Sequence, residues 1–186
     1  MIPVIEIVLS LRYELGDMQG LNVADHELIK PINSAVSLLY GTLSERFVHA
    51  VVKKLPIVID DTKTYSLPSD FVRIHQLVAD KGELVPSSIN PPAECAYRIV
   101  GNELFANEGA YTLEYYYIPA RVHVLGDLLD IPKSMQTWVE EISLAMYKKD
   151  MNTAGALVQQ AENTLAGREI AHFENIGPVQ VLGGSV

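Results

Sequence analysis

Leu67-Pro68-Ser69-Asp70-Phe71, then Tyr97-Arg98-Ile99-Val100-Gly101-Asn102, then Glu114-Tyr115-Tyr116-Tyr117-Ile118-Pro119 punctuate the middle of this chain and decide its fold. β-Branched and aromatic residues bounded by Pro, Gly, Asn and Asp are the composition of short strands joined by tight turns. Tyr111 to Ile118 is the clearest strand, with Tyr111, Leu113, Tyr115 and Tyr117 on one face and Thr112, Glu114 and Tyr116 on the other. Gly101-Asn102 between Tyr97–Val100 and Glu103–Ala106 predicts a hairpin. Asp60 to Lys63, Pro68 to Asp70 and Asp80 to Glu83 predict further turns, around apolar runs at Leu55–Ile59, Thr64–Leu67, Val72–Val78 and Leu84-Val85. Together these mark a small antiparallel β-module over about 55–118.

Helical periodicity flanks the module on both sides. Asp25 predicts a helix cap, with Glu27 in the first turn. Leu28, Ile32, Ala35, Val36, Leu39, Leu43, Phe47 and Ala50 then follow at three- and four-residue steps, predicting a helix over about 25–50. Pro31 falls early in it, Gly41 is an internal weak point, and Pro56 lies beyond its end. On the far side, Ser134 predicts the cap of a helix over 134–150 with the stripe Met135, Trp138, Val139, Ile142, Ala145 and Met146. A break at Asp150 to Thr153 precedes a last helix over 154–173, carrying Leu157, Ala161, Leu165 and Ile170. The first segment fits two templates. Ile5, Ile7, Leu9, Leu11 and Tyr13 alternate as in a strand, while Val4, Ile5, Val8, Leu9, Arg12 and Leu15 form a helical stripe that Gly16-Asp17 would stop. The fold class is therefore α+β: one domain over 1–174 and a Gly-rich C-terminal arm over 175–186, too short to fold alone.

Composition limits the function classes. The chain has 186 residues, 48% hydrophobic and 20% charged, enough for a real core. Its 14 Lys and Arg against 23 Asp and Glu give a net charge of -9, which disfavours a tight nucleic-acid binder but lets DNA pass nearby without sticking. A single cysteine, Cys95, excludes an intramolecular disulfide and a cysteine-rich zinc site, and predicts a partly buried structural thiol. The N-terminus lacks the basic region of a signal peptide, and no apolar run is long enough to span a membrane.

Few residues offer chemistry. Glu169 and His172 share one helix face at the spacing used in di-iron bundles, but such sites need a second motif and further carboxylates. Glu140 and Glu141 are adjacent on a helix and point about 100° apart, so they suit surface charge better than acid–base work. Asp60-Asp61 and Asp127 with Asp130 read as turn chemistry rather than cation loops. His26, His49, His75, His123 and His172 show no ligand spacing. The sequence predicts no catalytic residue, cofactor or metal. Tyr115 to Tyr117 could stack single-stranded nucleic acid, but basic neighbours are few; core packing, with Tyr116 at a protein interface, fits better.

Three pieces, in order and spacing, carry a resemblance. They are Arg12-Tyr13-Glu14-Leu15-Gly16-Asp17 followed by Asp25-x-Glu27-Leu28 and Ile32-Asn33-x-Ala35; Tyr65-x-Leu67-Pro68-x-Asp70-Phe71; and Leu113-x-Tyr115-Tyr116-Tyr117-x-Pro119, leading to Ile131-Pro132 and the Trp138 helix. The chain resembles the head–tail adaptor, or connector, proteins of tailed bacteriophages. The resemblance implies that the first segment is a helix over about 3–16. It also implies a virion protein, made in the host cytoplasm, that forms a ring of commonly twelve copies below the portal and extends the DNA channel. Its partners would be the portal protein, tail or nozzle proteins and copies of itself, with genomic DNA passing through without specific binding. Ile176, Pro178, Val179, Val181 and Leu182 would form the portal-binding arm, whose alternating valines suit strand addition. A competing reading is a tail-completion or assembly factor outside the ring, and a third is a small enzyme of unrecognised type.

Overall fold

The computed structural model describes residues 1–88 and 96–174, the stretch 168–174 as helix backbone. Cys95 and the arm residues Ile176, Pro178, Val179, Val181 and Leu182 lie outside the described residues. The fold is α+β, as the patterning predicts. The first segment is helical: α1 (Val4–Leu15) buries Val4, Ile7, Val8 and Leu11. Gly16 ends it at φ 68°, its N–H bonded to the Tyr13 carbonyl while Asp17 N–H returns to Arg12. This left-handed cap suits glycine, which has no Cβ to clash.

Helix α2 (Asp25–Glu45) is capped by Ala24, not Asp25. The Glu27 carboxylate reaches back to accept the Ala24 N–H at 3.0 Å, which frees Asp25 to take Arg12. Leu28, Ile32, Ala35, Leu39 and Leu43 are fully buried along one stripe, each leucine worth roughly 1.5–3 kcal/mol on removal from water. The helix stops at Glu45, five residues short of the predicted end, so Phe47 and Ala50 are not on its core face. A 3-10 turn, His49–Val51, leads into the sheet.

The main sheet has four strands in the order β2 (Val52–Ile59), β8 (Gly109–Tyr117), β4 (Phe71–Ala79) and β5 (Leu84–Val85), all antiparallel. Pro56 sits inside β2 opposite Thr112, tolerated because β2 is an edge strand with one side free of ladder partners. A second sheet orders β3 (Thr64–Ser66), β7 (Glu103–Phe105) and β6 (Arg98–Val100), with the hairpin turning at Gly101, φ 60°. A two-residue ladder joins β1 (Ile2–Pro3) to β9 (Leu128–Leu129), tying the N-terminus to the connection that follows the main sheet.

Helix α3 (Gln136–Tyr147) packs against α1, α2 and α4 (Met151–Glu174). It begins two residues after Ser134, which sits in a 3-10 turn (Lys133–Met135) and makes no cap bond. The cap in this region is Asp150, whose carboxylate accepts the Thr153 N–H at 3.0 Å and the Thr153 hydroxyl at 2.6 Å, starting α4 three residues early. Val139, Ile142, Ala154 and Ala161 close the helical core. Among the described residues no helix is long and apolar enough to cross a membrane.

Candidate interaction site

Tyr116 is not on the surface. Its side chain is 0% exposed, so its assignment to an interface is corrected. The reason is its strand: β8 is hydrogen-bonded on both sides, and both of its faces are covered. What covers Tyr116 is itself notable. Phe47 lies edge-on at 6.1 Å, His75 edge-on at 5.6 Å with its Nδ1 3.3 Å from the tyrosine hydroxyl, and the Arg73 guanidinium 5.0 Å over the ring.

The layer above Tyr116 is therefore Phe47 and His49, both exposed, with Arg73 and His75 half-buried beside them. Phe47 is 62% exposed and stacks 3.8 Å from the Arg73 guanidinium, which is held between two rings. Arg73 Nε and Nη2 are buried there without hydrogen-bond partners. His49 meets His75 edge-on at 4.4 Å. Phe47 owes its position to the α2 terminus. Its N–H bonds Ser44, Val48 N–H bonds Leu43, and Phe47 takes φ 60°, a cap conformation that glycine usually fills. An aromatic ring is thus held out of the core at a strained backbone position, on a mixed cationic and aromatic platform.

Of the resemblance residues, Arg12, Asp17, Asp25 and Asp70 lie elsewhere and are already partnered. Arg12, 6% exposed, reaches Asp17 at 3.1 Å and Asp25 at 2.5 Å. Asp17 also accepts backbone N–H groups from Leu21, Asn22 and Val23. Burial pushes its carboxyl up, but those N–H bonds and the Arg12 charge together outweigh burial and hold it below its ordinary value of 3.8. Gly20 makes room for the clamp: a Cβ there would stand 3.0 Å from Arg12 Nη1. The Arg12-to-Asp17 motif is a joint between α1 and α2.

A second joint centres on Lys53, which bridges Asp70 at 2.7 Å and Asp130 at 2.5 Å and lies 4.2 Å over the Tyr117 ring. Burial works against its charge, and the two carboxylates overcome that and raise its pKa. Asp70 also accepts the Tyr115 hydroxyl at 3.1 Å; burial and then the Asp70 charge push that phenol up to about 12. Tyr117 donates to the Asp130 carbonyl at 3.1 Å and meets Tyr40 of α2 edge-on at 5.3 Å. Asp70 and the tyrosine run thereby lock β2, β4, β8 and α2 together.

The remaining candidates resolve into local structure. Asp60 caps its own turn through Thr62, and Asp127 accepts the His123 and Val124 N–H groups. Glu140 accepts from Ser10 at 2.9 Å and from Gln136, tying α3 to α1. The side chains of Glu169 and His172 lie outside the described residues. Among the described residues no three His, Cys, Asp or Glu converge as a metal site. The sequence does not reveal the Phe47–Arg73–His75–His49 cluster, because its members come from a helix end and a bulged strand. No family model matches the chain, and no curated protein matches it.

Proposed function

We propose that this chain is a structural head–tail adaptor of a tailed bacteriophage, a ring subunit below the portal that lengthens the DNA channel and offers the tail a surface. The observation that carries this reading is the use of its signature residues. Arg12, Asp17, Asp25, Asp70, Tyr115 and Tyr117 are spent on joints between helices and sheet, which supports reading the pattern as a rigid spacer rather than a reactive centre. The Phe47–Arg73 platform supplies what such a spacer needs at its surface, an aromatic anchor with an arginine beside it. Its cationic character suits an acidic neighbour, and a second copy of this chain, at net charge -9, is one. Ile176, Pro178, Val179, Val181 and Leu182 remain the proposed portal-binding arm.

Negative-stain imaging of the purified chain, mixed with the portal protein encoded in the same genome, tests the reading. Ring density added to one end of the portal is the expected result, with truncation after Asn175 leaving a folded chain that no longer binds. Failure of the full chain to associate, together with its absence from purified particles, would refute it.

A further inference from the structure

The net charge hides one surface of opposite sign. Of the 23 acidic residues, none falls between Leu28 and Ser44 of α2, and none between Tyr115 and Gly126 after the sheet. The fold brings these two acid-free stretches together as the walls of a groove of about 710 Å³, lined by Lys30, Asn33, Ser34, Ser37, Arg121 and His123. That volume suits a nucleotide-sized ligand. Asn33 builds the groove: its side-chain carbonyl accepts the Val122 N–H at 2.9 Å and its amide donates to the Val122 carbonyl at 2.8 Å. With Val122 pinned and buried, its exposed neighbours Arg121 and His123 are set against α2. From α2, Lys30, Ser34 and Ser37 recur at helical spacing, all three exposed. Lys30 and Arg121 make no ion pair among the described residues. The carboxylates nearest in sequence are occupied: Glu27, three residues before Lys30, accepts the Ala24 N–H, and Asp127 accepts the His123 and Val124 backbone N–H groups.

We infer that this groove binds phosphate groups. Two unpaired cations of long reach, an imidazole and two hydroxyls are donors suited to a tetrahedral oxyanion, and no carboxylate is among the residues that line the groove. The phosphate belongs either to a small phosphorylated molecule or to a nucleic-acid backbone, which the groove would touch without reading sequence. The inference stands apart from the adaptor reading, since it concerns only this chain and its ligand.

The test is a ¹⁵N–¹H NMR titration of the full chain, in separate arms with pyrophosphate, a short DNA duplex and polyglutamate. Saturable shifts at Lys30, Ser34, Ser37, Arg121 and His123 with either phosphate ligand are expected, and the responding arm identifies the source. The double variant Lys30→Gln/Arg121→Gln, both exposed sites, should keep its spectrum elsewhere and bind at least tenfold more weakly, about the loss expected for one charged hydrogen bond. Lys81→Gln, in the turn at the sheet edge, should bind as wild type. Shifts absent from the groove, undiminished binding by the double variant, or equal shifts with polyglutamate would overturn the inference.

Discussion

Replacing Phe47 with glycine separates a docking residue from a structural one. Three effects compete in the folded chain. Glycine relieves the left-handed strain at φ 60°, worth roughly 1–2 kcal/mol for a residue with a Cβ. It forfeits the stacking on Arg73, about 0.5–1 kcal/mol at an exposed site, and the edge contact with Tyr116, about 0.5–1.5 kcal/mol. It also adds chain entropy to the unfolded state, roughly 0.5–1 kcal/mol. The sum is a destabilisation of about 1 kcal/mol, at most about 2.5 kcal/mol, below the roughly 3–5 kcal/mol of emptying a buried phenylalanine site. Urea unfolding followed through the single tryptophan, Trp138, measures it. Under the proposed adaptor role, ring formation on the portal should respond much more strongly, weakening by about 30-fold if Phe47 is an interface anchor worth about 2 kcal/mol. Sedimentation of portal-bound assemblies reads that second number. A stability loss of 3 kcal/mol would make the ring a core strut, and undiminished assembly would remove Phe47 from the interface.

Two tyrosines in one contact should behave oppositely. Tyr40→Phe keeps the edge packing on Tyr117 and removes a buried hydroxyl that lacks a well-formed hydrogen bond, so stability should stay within about 0.5 kcal/mol or rise, whereas Tyr117→Phe abandons the Asp130 carbonyl and should cost about 1–2 kcal/mol; equal costs in urea titrations would contradict the assignment. Acid should loosen the α1–α2 joint. Asp17 titrates below its ordinary 3.8 in the folded chain, so its contribution is present above that pH and lost as pH falls through its lower folded value; Asp17→Asn should be less stable at neutral pH and flatter in pH dependence below 3.8. Parallel acid-unfolding curves for the two proteins would show that the clamp does not hold the joint.

Local chemistry is what the sequence made legible. Turns that need glycine carry it, at Gly16, Gly82 and Gly101, and the element boundaries there agree with the structure. The predicted boundaries fail where the caps carry no glycine. Helices α2 and α3 end on Phe47 and Lys149 in the same left-handed cap, at φ 60° and 58°, and neither residue type signals a stop. Ser134 and Asp25 look like caps but are displaced by Met135 and Ala24, since a cap depends on where the first turn closes.

By itself, the sequence determined the α+β class, the helix–sheet–helix order, the hairpin at Gly101 and the two faces of β8, because these follow from periodicity and turn chemistry within a few residues. Only the tertiary structure decided which faces are covered. Alternation sets Tyr116 apart from Tyr115 and Tyr117, but its burial depends on Phe47, Arg73 and His75, more than forty residues away along the chain. Likewise Lys30 and Arg121 are unremarkable surface cations until Asn33 grips Val122 and sets them into one groove. Charge and aromaticity are written residue by residue, whereas a surface that can recognise a partner exists only once distant segments pack and leave those groups side by side.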